Sequence, residues 1–204
     1  MTPATTFGVV GLLAFIFISN YLVQVIGTSF YKEQEHLELF DVVYHLTPDL
    51  HDYKIYNHII VLAVAASFFF LSDPIPILIE FSAKFLLIMV VRAVTTLSTI
   101  LPKYSKCDPK LSFVHYLKGN CYDKVFSGHT AFVFLATLIF QREQIISFSF
   151  FAMINLLNTI SILLTRSHYT LDVIIAYIIT YLVYDGDYHL FTEFFNDFYK
   201  SFAK

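Results

Sequence analysis

Two histidines stand where their surroundings would make them reactive. His129 closes the polar stretch CYDKVFSGHT just before the uncharged run 131–140, and His168 lies four residues ahead of Asp172 in HYTLDVIIAYIIT. Residues four apart share a helix face, so the Asp172 carboxylate can reach the His168 imidazole. A carboxylate holds one tautomer of the ring and stabilises the imidazolium, which makes a better nucleophile or base. Taken alone, a His-x-x-x-Asp pair is more often a structural hydrogen bond. Inside an apolar span the balance shifts, because intramembrane carboxylates are costly and usually functional.

Arg92 supplies a cation, ten residues before Pro102 and so about 15 Å below that end of its helix by the helical rise. An anionic phosphate or Asp172 is its natural partner, with snorkelling to the surface as the alternative. Arg166, two residues before His168, is a second candidate phosphate ligand or else an interfacial anchor.

The elements that must position these groups are membrane helices. Of the 204 residues, 57% are hydrophobic and 14% charged, against about 25% charged in a soluble domain; the mean hydropathy is +0.65. Six apolar spans are expected at 7–26, 58–71, 78–101, 125–140, 145–164 and 169–184, with a tight turn at Asp73-Pro74 and Pro76. The first span has no basic n-region and no cleavage site, so it reads as a retained helix. Residues 190–202 space their phenylalanines and Leu190 at three- and four-residue steps, which predicts an interfacial amphipathic helix; a frayed tail is the alternative. The whole, 1–204 with a core of 7–184, is expected to be one all-α membrane domain. The net charge of −3 and scattered lysines argue against a nucleic-acid partner.

Parity brings the two motifs together. Successive spans alternate direction, so the fourth and sixth enter from the same side. The fourth is only ten residues long between Ala131 and Phe140; to cross about 30 Å it must include SGHT. His129 is therefore expected at or just below the membrane surface, with His168 and Asp172 beside it. The neighbouring helix N-termini carry partial positive charge that suits an anion.

CYDKVFSGHT followed by HYTLDVIIAYIIT resembles the two signature motifs of the sphingomyelin synthase family, lipid phosphotransferases within the type-2 phosphatidic acid phosphatase superfamily. HLTPDLHDY at 45–53 and RAVTTLSTILP at 92–102 are similar to the family's upstream motifs and fall in its order, so the resemblance covers about 48–180. It implies a six-helix bundle like that of the superfamily, with His129, His168 and Asp172 as catalytic residues. Arg92, Ser127, Arg166, Asp49 and Asp123 join them as candidate substrate contacts, although solvated loop acids are as good an account of Asp49 and Asp52.

The implied reaction moves phosphocholine or phosphoethanolamine from a glycerophospholipid to ceramide through a phosphohistidine, releasing diacylglycerol. The alternatives are diacylglycerol as acceptor, a lipid phosphate phosphatase, and a non-enzymatic lipid-binding, membrane-shaping or transport protein. Two departures matter, the first for the loop before SGHT and the second for the acceptor. Tyr122 stands where the family usually has glycine, and TRSHYTLD, with Arg166, looks closer to plant phosphatidylcholine:diacylglycerol cholinephosphotransferases. The phosphatase branch fits less well: seven residues stand between Lys84 and Arg92 with Ala93 following, where that branch has six and then Arg-Pro, and Ile162 replaces that branch's arginine.

No cofactor or metal is expected, since the loops show no zinc-like spacing. Asn155, Asn158 and Ser161 are expected to bond neighbouring helices; His36, His45, His51, His58, His115 and His189 have no supporting constellation. The positive-inside rule puts the site in the cytoplasm, because Lys32, Lys54, Lys103, Lys106, Lys110, Lys118, Lys124 and Arg166 share its side. The family resemblance implies instead a lumenal or exoplasmic site in the Golgi, endoplasmic reticulum or plasma membrane. A Cys107–Cys121 disulfide would fit that oxidising side.

Overall fold

The computed structural model describes residues 3–31, 39–103 and 121–186, which are helical with no strand. The expected tail helix at 190–202 lies outside the described residues. The helices are α1 (Pro3–Phe30), α2 (Val42–Leu46), α3 (Ile55–Ser67), α4 (Pro74–Ser98), α5 (Gly128–Arg142), α6 (Phe148–Leu164) and α7 (Thr170–Asp185), with single 3-10 turns on either side of α3.

Each long helix falls on an expected span, and the differences in boundary have local causes. Pro74 and Pro76 sit inside the first turn of α4 rather than in a turn before it. Proline is tolerated there, because first-turn N–H groups have no intrahelical acceptor to lose. The helix of the first histidine motif starts at Gly128, not at Val125, because Ser127 caps it through its hydroxyl. Both α5 and α6 end in a left-handed residue, Gln144 and Arg166. Their N–H groups and those of the next residues return to carbonyls of the last turn, the arrangement that glycine usually serves.

The centre of the bundle is α5, which packs against α3, α4, α6 and α7. Its Ala131 and Ala136, with Ala176 of α7, are fully buried, and small residues of this kind let helix backbones approach closely. Around them Phe68, Phe81, Phe85, Phe132 and Phe140 form a web of stacked, tilted and edge-on rings. At the far end from the histidines, Glu80 of α4 pairs with Lys84 and with Arg142 at the end of α5, and Lys84 donates to the Tyr184 carbonyl near the end of α7. The starts of α5 and α7 therefore face the same side, as parity requires.

Among the described residues, two stretches, Gly8–Phe30 and His51–Phe70, are long and apolar enough to cross a membrane alone; Phe148–Leu164 is a shorter apolar helix. Only 17% of either stretch is buried within the bundle. Phe69 and Phe70 are 85% and 88% exposed, and α6 and α7 leave Leu156, Leu157, Ile174 and Ile178 uncovered. Apolar surface of that extent points to lipid rather than water. The expectation of six full spans goes further than this. α4 carries Glu80, Lys84 and Arg92, and α5 has 15 residues, enough for about 22 Å of a roughly 30 Å core.

Candidate active site

The N-termini of α5 and α7 meet directly: the Ser127 backbone N–H donates to the Asp172 carbonyl at 3.3 Å. This contact joins the two histidine motifs by main chain alone. His168 Nδ1 lies 3.2 Å from Asp172 Oδ2, and the same oxygen accepts the Tyr169 N–H at 3.0 Å. Asp172 thus caps its own helix while orienting the ring. With Nδ1 turned to the carboxylate, Nε2 keeps the lone pair and is the nitrogen able to attack.

His168 is held by its surroundings on several sides. The Tyr44 hydroxyl of α2 donates to its carbonyl at 2.8 Å, and the buried Lys124 ammonium donates to the Ser167 carbonyl. Asp41, the N-cap of α2, accepts the Thr170 N–H at 2.7 Å and the Thr170 hydroxyl at 2.9 Å, so one carboxylate serves the first turns of both α2 and α7. Burial holds His168 well below the ordinary histidine value, and Lys124, His129, Arg92 and Lys54 push it the same way. Lys124 is itself lowered by burial, against the pull of Asp123 and Asp172. A neutral nucleophile follows, because the charged ring would be desolvated among cations.

The sign gives a pH prediction. Since the attacking imidazole must be neutral and its folded value is depressed, the acid limb of kcat/KM should lie below the usual histidine range. Lys124→Met removes a lowering charge and should move that limb upward by roughly one unit; a pH–rate profile of both proteins checks it.

Arg92 is 6% exposed and does not snorkel. Its Nη2 is 2.5 Å from Asp123 Oδ2, Nη1 donates to Asn20 Oδ1 at 3.0 Å, and Nε reaches the Phe126 carbonyl at 3.4 Å. The partner is therefore Asp123 rather than Asp172, and Asp123, expected at the substrate, is the counter-ion of Arg92. Together they anchor the loop that delivers His129. Ser127, also expected at the substrate, is fully buried. Its hydroxyl oxygen accepts from the Thr130 N–H and hydroxyl.

Arg166 takes the left-handed conformation with φ 54°, a strained place for a side chain of its size. Its guanidinium donates to the Tyr44 and Thr47 carbonyls and to the Thr47 hydroxyl, and it lies 4.3 Å over the Tyr44 ring. It clamps α2 onto the loop of His168. Asp49 shares with it the wall of an open cavity of about 550 Å³ bounded also by Asp41, His45 and Thr47. The Asp49 carboxylate accepts the His51 N–H at 2.9 Å. The two candidates thus line one cavity.

Sequence reasoning overlooks three participants. Lys124 reads as one more loop lysine but is 4% exposed. Asn57 donates to the hydroxyls of Thr165 and Ser167 and accepts from Ser161, tying α3 to the chain just ahead of His168. His58, next to it, lies with Nδ1 3.2 Å from His129 Nε2. The polar face of α6 is only partly paired: Asn155 donates to Thr137 of α5, while neither side-chain polar atom of Asn158 has a hydrogen-bond partner among the described residues.

Tyr122, at the position where glycine would be usual, has a steric explanation. Its ring stacks on Tyr31 at 5.9 Å and lies flat against Gly27 of α1, where a Cβ would come within 2.4 Å of the ring. The missing side chain on α1 makes room for the added one on the loop. Cys121 beside it is disulfide-bonded; the other cysteine of the chain, Cys107, lies outside the described residues.

No curated protein and no solved structure matches the chain. Residues 120–190 match the family model described as PAP2 superfamily C-terminal, an interval that holds both histidine motifs. That match supports the type-2 phosphatidic acid phosphatase superfamily, and with it an enzyme of the lipid phosphatase or phosphotransferase class.

Proposed function

We propose that the chain transfers a phosphorylated head group, phosphocholine or phosphoethanolamine, from a glycerophospholipid to the hydroxyl of ceramide. The observation that carries this reading is the convergence of an Asp172-oriented His168 with His129 at the joined N-termini of α5 and α7. His168 Nε2 attacks phosphorus, and the phosphorus–oxygen bond to diacylglycerol breaks as His129 gives that oxygen a proton. A phosphohistidine remains. His129 then takes the proton of the acceptor hydroxyl, whose oxygen attacks phosphorus while the bond to His168 breaks. The helix N-termini and the nearby cations would stabilise the phosphoryl oxygens in both steps.

The acceptor need only present a hydroxyl at the membrane surface. Diacylglycerol, or water in a phosphatase, would use the same residues, and the PAP2 match accommodates hydrolysis as well as transfer. The Cys121 disulfide favours a lumenal or exoplasmic site. Burial of Lys124 and Arg166 also removes two cations from the surface count that favoured the cytoplasm.

The test is incubation of purified protein with a lipid labelled in its choline head group, plus ceramide or diacylglycerol. Labelled sphingolipid is the expected product. Label passing only to diacylglycerol would replace the acceptor, free phosphorylated head group would replace transfer by hydrolysis, and no turnover would favour lipid binding.

A further inference from the structure

We infer that His58 is a positioning residue for His129, standing to the acid–base histidine as Asp172 stands to the nucleophile. The inference rests on the phosphotransfer reading above. Three observations carry it. His58 Nδ1 and His129 Nε2 are 3.2 Å apart, with ring centroids 5.0 Å apart, so one ring's N–H meets the other's lone pair. His58 lies in the first turn of α3, next to Asn57, which is 2% exposed and holds Thr165 and Ser167. Adjacent residues of α3 therefore brace the two histidine motifs, Asn57 the one ending in His168 and His58 the one containing His129. Finally, α3 and α5 pack against each other, which fixes the pair across elements that the sequence separates by 71 residues.

The consequence follows from counting protons. When His129 is an imidazolium, its Nε2–H is donated to His58 Nδ1, and His129 Nδ1–H is the proton left to face the substrate. As the phosphorus–oxygen bond breaks, the leaving oxygen takes that proton and His129 becomes neutral, still hydrogen-bonded through Nε2. In the second step the acceptor hydroxyl returns a proton to Nδ1 and the imidazolium is restored. His58 gains and loses nothing; it fixes the tautomer and leaves Nδ1 of His129 for the substrate.

Such a role depends on how much the leaving group needs a proton. A lipid alkoxide needs one, whereas nitrophenolate leaves without it. We expect His58→Leu to slow transfer from a phospholipid roughly 10–100-fold, within the range of acid–base contributions, and to change nitrophenol release from a nitrophenyl phosphodiester less than about threefold. His58→Asn, which keeps a polar partner for His129, should recover part of the loss. Equal losses on both substrates would mean a merely structural residue, and no loss on either would mean an idle one; each overturns the inference while leaving the phosphotransfer reading in place. A wild-type protein that neither releases nitrophenol nor forms a phosphohistidine would overturn both.

Discussion

His168→Ala should lower head-group transfer by about 10⁴-fold or more and abolish the phosphohistidine, with little change in the fold. Removing a nucleophile closes the double-displacement route altogether, whereas removing an acid or base typically costs about 10²–10⁴-fold. The structural consequences are small by comparison. The Asp172 oxygen that faces the ring keeps its bond to the Tyr169 N–H, and Tyr44 and Lys124 hold the loop through backbone carbonyls, which alanine retains. Trapping labelled phosphoenzyme from wild type and variant, beside a thermal melt of each, separates the two effects. Normal transfer by the variant would sink the mechanism; a collapsed melt would make the loss uninformative about chemistry, and His168→Gln then serves as the milder substitute.

Asp123→Ala should be the most destabilising single change at the site. The Arg92 and Asp123 side chains are 7% and 6% exposed, and removing one member of a buried pair leaves an uncompensated charge at a cost of about 3–5 kcal/mol. In a chain of this size that corresponds to roughly 6–20 °C in the melting midpoint. The Arg142–Glu80 pair at the opposite end is 40% and 21% exposed, and solvent reduces such a bridge to about 0–1 kcal/mol. Differential melts in detergent check the ordering, and Arg92→Leu combined with Asp123→Leu should be less harmful than Asp123→Ala alone, because no charge is stranded. Equal melts for Asp123→Ala and wild type would show that Arg92 finds another partner.

What the sequence revealed was local or periodic. The apolar runs located the long helices, the four-residue spacing joined His168 to Asp172, and alternation of direction placed α5 beside α7. The rest depends on contacts between distant segments. Nothing periodic connects Gly27 to Tyr122, Arg92 to Asp123 or His58 to His129; each pair meets only after α1, α3 and α4 have packed. The packing role of Arg166 was hidden for a related reason. Glycine is absent at the end of α6, and the left-handed turn that falls to Arg166 sends its side chain back over α2. Lys124 was hidden by its neighbours, since a lysine in a polar loop gives no sign that the loop is drawn into the protein.

The Asp172 oxygen shared by His168 and the Tyr169 N–H has an evolutionary consequence. Because one atom both starts α7 and tunes its nucleophile, selection for folding and selection for activity fall on the same position. A lineage drifting from catalysis toward passive lipid binding would still be penalised for losing this side chain, as its helix would begin to unravel. The reactive centre is insured by the scaffold, and an intact aspartate at this position in a relative would be weaker testimony to surviving activity than the histidine beside it.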